Sequence, residues 1–257
     1  MLAAPDNLDP GAVALFLDID GTLLEIRANP ADVVADAELL GLLEACCERL
    51  GGALSLISGR TIETIDRIFA PAVFPAAGAH GSELRFAAGD TQCGVQIALP
   101  PEVIAEFEAF AARDAGLLVE KKRGGITLHF RRAPQLEHEC RELADTLMAQ
   151  LGEDFRLIAG KMVLEIAPST HHKGSAIMEF LEHAPFAGRT PVFVGDDVTD
   201  EDGFRAVNQR GGISIRVGDT AGSAADHRLA DVAAVRPWLR AAILGAGNRQ
   251  RTGVHAS

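Results

Sequence analysis

One stretch concentrates the residue types that could do chemistry: Ala14-Leu15-Phe16-Leu17-Asp18-Ile19-Asp20-Gly21-Thr22. The apolar run Val13 to Leu17 predicts a strand buried on both faces, and it stops at two aspartates separated by one isoleucine. Alternate side chains of a strand share a face. If the extended conformation persists, Asp18 and Asp20 therefore point the same way off the carboxyl end, where open α/β sheets bind ligands. Two carboxylates so close repel unless a cation or a shared proton intervenes, so the spacing asks for a metal ion. Gly21 permits a sharp turn, and Thr22 adds a hydroxyl and a backbone N–H. A plain strand-terminal Asp-Gly turn is the competing account of this stretch taken alone.

Three later segments favour chemistry. The apolar run Ala53 to Ile57 ends in Ser58, and Pro191 to Gly195 ends in Asp196-Asp197-Val198-Thr199-Asp200. Lys173 opens a helical pattern between them in sequence. In a parallel sheet the three strand ends lie along one edge. A carboxylate cluster with no paired His or Cys suits a hard, oxygen-ligated cation such as Mg²⁺. Lys173 and the Ser58 hydroxyl suit an anion beside it. Together these groups read as a phosphate site with one nucleophilic carboxylate.

The elements that must position them alternate at first. Strand, helix, strand, helix, strand up to Ala79 predicts an α/β fold with a doubly wound, Rossmann-like parallel sheet. Asp36 has the place of an N-cap for the helix that ends at Gly51-Gly52. The rhythm then changes. Ser82 to Phe86 and Gly94 to Ala98 read as a hairpin, and helix, strand, strand then follows twice. This predicts an α+β insert over 99–166, a cap, between core segments 1–98 and 167–257. From Lys173 the first rhythm returns and ends in a helix over Arg236 to Leu244.

Composition narrows the partners. The chain has 257 residues, 47% hydrophobic and 23% charged, with a net charge of −12. So acidic a chain is a poor general binder of nucleic acid or anionic membrane, and an anionic substrate must be met by local cations. Cys46, Cys47, Cys93 and Cys140 show no Cys-x-x-Cys spacing and read as reduced thiols. No apolar run approaches the ~20 residues that span a bilayer, and no basic or apolar leader marks the start. The expectation is a cytoplasmic protein, monomeric or weakly self-associating, acting on a small molecule.

The four segments, in order, resemble the motifs of the haloacid-dehalogenase-like phosphatases. That resemblance implies roles. Asp18 would attack phosphorus and carry an aspartyl-phosphate. Asp20 would act as general acid and then base. Thr22 and Ser58 would bind phosphoryl oxygens, and Lys173 would offset charge. Asp196, the Asp18 carboxylate and the Asp20 carbonyl would hold Mg²⁺, with Asp197 and Asp200 as further metal groups or as groups behind them. Within that superfamily the chain is most similar to the trehalose-6-phosphate phosphatase family. The resemblance rests on Ser58-Gly59-Arg60, Gly78-x-His80-Gly81, Glu120-Lys121-Lys122, Leu128-His129-Phe130-Arg131, Gly160-Lys161, Leu164-Glu165-Ile166-x-Pro168 and Gly195-Asp196-Asp197-x-Thr199-Asp200-Glu201. It implies a phosphorylated disaccharide as substrate, with contacts from Lys122, Arg131, Lys161 and Glu165 on the cap and from Arg60 and His80 on the core.

Other accounts compete. Lys122, Arg123, Arg131 and Arg132 are equally well explained as a solvated face. A structural hydrogen bond explains His80 nearly as well as a ligand does. Glu165 is more pointed, because it interrupts the apolar run Val163 to Ile166, where an unused charge is costly. His171 and His172 read as loop residues. Gly160-Lys161 lacks the serine or threonine and the glycine offset of a P-loop. A phosphatase for sucrose or glucosylglycerate phosphate, a phosphomutase and a non-catalytic sugar-phosphate sensor are the alternatives. The intact Asp18 and Asp20 argue against the sensor.

Overall fold

The computed structural model describes residues 1–27, 32–90, 98–122, 124–219 and 221–245. In chain order the elements are β1 (Leu2–Ala3), β2 (Val13–Leu17), α1 (Ala37–Arg49), β3 (Leu54–Ile57), α2 (Ile62–Phe69), β4 (Ala76–Gly78), β5 (Glu83–Arg85), α3 (Pro101–Ala111), β6 (Leu118–Lys122), β7 (Gly125–His129), α4 (Glu137–Leu151), β8 (Phe155–Gly160), β9 (Val163–Pro168), α5 (Lys173–Phe180), β10 (Thr190–Gly195), α6 (Glu201–Gln209), β11 (Ile213–Val217), β12 (His227–Leu229) and α7 (Val232–Leu239). Arg240–Leu244 continues α7 as a π-helical turn.

Among the described residues these strands form two sheets. The first has the order β1-β12-β11-β10-β2-β3-β4-β5, parallel throughout except that β5 runs antiparallel to β4. The second is antiparallel, in the order β6-β7-β9-β8. Strand β2 is buried at every position, as a central parallel strand covered on both faces must be. The chain leaves β2 toward β3 and β4, then returns to β10 on the other flank of β2 and continues outward to β11 and β12. Right-handed crossovers in opposite directions place their helices on opposite faces, so the sheet is doubly wound. The direction reverses between β2 and β10, and such a switch point opens a crevice at the carboxyl ends of the strands.

Each sheet has its own apolar core. Phe16, Phe180, Phe186 and Phe193 are among the buried residues of the first, and Phe107, Phe130, Leu164 and Ile166 among those of the second. Phe16 on β2 stacks on Phe186 with ring centroids 5.6 Å apart and meets Phe180 of α5 edge-on at 5.9 Å. The helix that opens with Lys173 is thus packed against the strand that ends before Asp18. Helix α1 starts where Asp36 accepts the Leu39 N–H at 2.8 Å, the cap read from its sequence.

The structure corrects several sequence expectations. The first arm of the expected hairpin holds β5 (Glu83–Arg85), which pairs with β4 and is the last strand of the sheet among the described residues. The expected second arm falls mostly outside the described residues. Helix α7 begins at Val232, capped by Asp231, rather than at Arg236. Strands β1 and β12, too short to show a pattern, are additions. No helix of the described residues is long and apolar enough to cross a membrane.

Because the second sheet has its own core, truncating it should cost stability there. Phe107→Ala, at a fully buried site, is expected to lower stability by about 3–5 kcal/mol in denaturant unfolding. The same test on exposed Leu118→Ala should give a change under about 0.5 kcal/mol.

Candidate active site

The switch point brings Asp18 and Asp196 together. Asp18 extends the pairing of β2 by one residue, its N–H donating to Val194 O at 2.9 Å. The chain then leaves the strand and folds back, with the N–H groups of Leu23 and Leu24 both donating to Ile19 O and that of Gly21 to Leu24 O. The extended conformation that would have aimed Asp18 and Asp20 alike therefore ends, and the two carboxylates find different partners. Asp18 faces Lys173 Nζ at 2.6 Å. Asp20 is gripped by both arms of the Arg60 guanidinium, at 2.6 and 2.7 Å.

Lys173 opens α5, whose first turn is capped by His172: Nδ1 accepts the Ser175 N–H at 3.0 Å, and Ser175 Oγ accepts the His172 N–H at 3.0 Å. His171 and His172 thus serve the loop before the helix, as the sequence reading has them. The Lys173 ammonium also donates to Asp200 Oδ1 at 2.6 Å. Asp200 Oδ2 accepts the backbone N–H groups of Asp196 and Asp197, at 2.9 and 2.8 Å. Both oxygens of Asp200 are thereby used. Asp18, Lys173 and Asp200 are 4%, 3% and 0% exposed, so the junction is dry.

Ligand oxygens of Asp18, Asp196 and Asp200 lie within 4.8 Å of one another. Three carboxylates then share one lysine. Burial, reinforced by Asp200 and Asp196 and opposed by Lys173, pushes the Asp18 carboxyl well above its usual range. Burial and Asp200 push Asp196 up to about 6. Burial would lower the Lys173 pKa, but Asp18 and Asp200 together drive it upward, so the ammonium stays charged. Such an excess of negative charge on hard oxygen donors fits a divalent cation. The backbone agrees: Gly21 has φ +84°, and a Cβ there would sit 2.2 Å from Asp196 Oδ2, so the glycine makes room for the Asp196 carboxylate. Asp20 and Asp197 are not in this cluster. Asp197 is half-buried and caps its neighbour, accepting the Val198 N–H at 2.7 Å.

The hydroxyl groups lie close by. Thr22, fully buried, points Oγ1 at Asp196 Oδ1 at 3.4 Å, and buried Ser58 Oγ accepts the Arg60 N–H at 3.1 Å. His80 sits on a strained loop, with Ala79 and His80 both at positive φ, and Gly59 leaves the space its ring fills. Its Nε2 is 3.4 Å from Glu165 Oε2, which also accepts from Thr127 Oγ1 at 3.1 Å. Core and second sheet therefore meet at His80 and Glu165.

Lys161, in the turn between β8 and β9, lines a cavity of about 380 Å³ with Asp196, Asp197, Val198 and Glu201. Arg131 donates to main chain, to Arg27 O at 2.6 Å and to Lys161 O at 3.3 Å. The side chain of Lys122 and all of Arg123 lie outside the described residues. Sequence reasoning passed over Arg216 and Arg156. Arg156 spans the two sheets' units, pairing with Asp202 at 2.8 Å and donating to His171 O. Arg216 is the lone charge in the apolar run Ile213 to Val217, the same signal that singled out Glu165.

A nucleophilic carboxylate held by an ammonium, with hydroxyls and a cation-fitting acid pair around it, can do phosphoryl transfer. Gly21→Ala should push Asp196 aside. Its expected effect is a loss of Mn²⁺ binding of at least about tenfold by calorimetry, with an unchanged circular dichroism spectrum.

Comparison with known proteins gives the family. The trehalose-phosphatase family profile matches residues 16–233. A protein of Sinorhizobium fredii named probable trehalose-phosphate phosphatase is 43% identical over 205 residues, covering 80% of this chain and 77% of its own. The trehalose-6-phosphate phosphatase of Escherichia coli is 41% identical over 227 residues, covering 88% and 85%. The C-terminal domain of the Candida albicans trehalose-6-phosphate phosphatase shares the fold at TM-score 0.79 and 20% identity, over 90% of this chain and 92% of that one. A Bacteroides thetaiotaomicron protein described among the phosphatases of the haloalkanoate (HAD) enzyme superfamily shares the fold at TM-score 0.61 and 14% identity, over 89% of this chain and 93% of that one. With a family profile matched over residues 16–233 and two relatives more than 40% identical over most of its length, the chain belongs to the trehalose-phosphatase family.

Proposed function

We propose that the protein hydrolyses trehalose 6-phosphate to trehalose and phosphate, with Mg²⁺, through an aspartyl-phosphate on Asp18. The observation that carries this reading is the buried junction of Asp18, Lys173 and Asp200 beside Asp196, in a chain 41% identical to the Escherichia coli relative of that name.

Asp18 attacks phosphorus through a carboxylate oxygen, and the bond from phosphorus to the sugar oxygen breaks. Asp20 gives the leaving oxygen a proton. It then takes one from the water that attacks phosphorus, which releases phosphate and restores the Asp18 carboxylate. For Asp20 to hold a proton, Arg60 must release at least one of its oxygens, so the fork seen here belongs to the resting state. Thr22 and Ser58 bind phosphoryl oxygens, and Lys173 offsets charge on the nucleophile. Mg²⁺ held by Asp18, Asp196 and the Asp20 carbonyl would neutralise phosphoryl charge. Asp200 acts behind it, holding Lys173 and the Asp196 main chain.

Residues 99–166 form the cap, which holds the disaccharide against the core through Lys122, Lys161 and Glu165, with His80 and Arg60 on the core side. Arg131 serves this indirectly by tying the Lys161 turn to Arg27. Closure over the substrate excludes water and strengthens each contact with sugar hydroxyls. The free thiols of Cys46, Cys47 and Cys140 suit a reducing, cytoplasmic setting.

Two outcomes are expected. Phosphate release across a panel of phosphorylated sugars should be fastest by far with trehalose 6-phosphate, and a chelator should abolish it until Mg²⁺ is restored. Equal rates across the panel would refute the substrate. Asp18→Asn should lose at least about a thousandfold in kcat while keeping a folded circular dichroism spectrum; a loss under tenfold would remove Asp18 as nucleophile.

A further inference from the structure

We infer that Arg216 is a positioning residue for the metal loop, acting with Glu201 as a clamp on the main chain of Asp196; this rests on the metal-binding reading above. Arg216 lies on β11, 5% exposed, in the strand next to β10. One arm of its guanidinium, Nη2, donates to the carbonyl oxygen of Asp196. The other, Nη1, donates to Glu201 Oε1 at 2.9 Å. Glu201 Oε2 in turn accepts the Ala224 N–H at 2.7 Å. A single ion pair thus joins three segments at the carboxyl edge of the sheet: the loop after β10, the first turn of α6 and the chain between β11 and β12.

The consequence falls on Asp196. Its N–H is taken by Asp200 Oδ2 and its C=O by Arg216 Nη2, so buried ionised side chains pin both main-chain groups of one residue. Its carboxylate lies over Gly21, where no Cβ intrudes. With the peptide groups fixed and the space shaped, the carboxylate is left with little freedom but to face Asp18. A metal ligand fixed before the ion arrives loses less conformational freedom on binding, and groups behind the ligands are worth about 10–100-fold in metal affinity. Arginine suits this place because its planar fork serves two acceptors at a fixed angle, whereas a lysine ammonium is a point donor on a flexible stem.

A merely structural ion pair would hold the fold and leave the ion indifferent. Arg85 supplies that control. It is equally buried and pairs with Asp66 at 2.6 and 2.8 Å, beside Phe74 O and the opening residue of β4, away from the acid cluster.

The test is calorimetric titration of Mn²⁺ alone into the metal-stripped full chain. Wild type must bind and Asp196→Asn must not; equal binding by the two would overturn the metal reading itself, and the clamp with it. Given that difference, Arg216→Met and Glu201→Gln should each weaken Mn²⁺ binding at least about tenfold, and the double variant should be no worse than the weaker single, because both break one clamp. Arg216→Lys should recover only part of the affinity. Arg85→Met should lower the thermal midpoint with Mn²⁺ affinity within twofold of wild type. If Arg216→Met does not fold, Glu201→Gln, which keeps an acceptor for the Ala224 N–H, decides alone. Mn²⁺ affinity within twofold of wild type in the folded variants, whatever their midpoints, would overturn the inference.

Discussion

The structure turns on one ammonium group held between two buried carboxylates. Lys173 reaches Asp18 and Asp200 at the same 2.6 Å, with almost no solvent at any of the three. Charges so deeply buried are tolerated only when fully paired, and removing one partner from such a pair typically costs roughly 3–5 kcal/mol. The lysine therefore dictates where β2, α5 and the loop after β10 can stand relative to one another. It also leaves an imbalance, since Asp196 is a third carboxylate in the cluster while Lys173 donates to the other two. That imbalance is what makes the place suited to a cation and, beside the cation, to a phosphoryl group.

The fold supplies what this junction needs. Reversal of chain direction between β2 and β10 puts two acidic strand ends side by side, which no pair of sequence neighbours could achieve with backbone groups still satisfied. The aromatic packing of Phe16, Phe180 and Phe186 holds α5 against β2 from behind. Asp200 stitches the loop from below through two backbone N–H groups. The second sheet, with its own core, presents Lys161 and Glu165 at this edge.

Much of this was legible in the sequence because chemistry sat where periodicity broke. Asp18, Ser58 and Asp196 each follow an apolar strand, and Lys173 opens a helix, so strand ends and helix starts alone put them at one edge. The direction of Asp20 was not legible, because the strand rule applies only while the strand lasts and β2 ends at Leu17. The resemblance implies sugar contacts for Arg60 and Arg131; their ties to the Asp20 carboxylate and to the Arg27 and Lys161 carbonyls span distances in sequence that no local pattern encodes. Short strands carry no period, which hid β1, β12 and the pairing of β5 with β4. Arg216 did leave a trace, the lone charge in a short strand. The rule that singled out Glu165 applies to it equally.

The central claim is that Asp18 becomes covalently phosphorylated. Quenching the enzyme during turnover of trehalose 6-phosphate, reducing the acyl phosphate with borohydride and sequencing the peptides by mass spectrometry tests it most directly. The account predicts conversion to homoserine at Asp18 alone. Conversion at Asp20 or another carboxylate, or no trapped species while phosphate is being released, would contradict it.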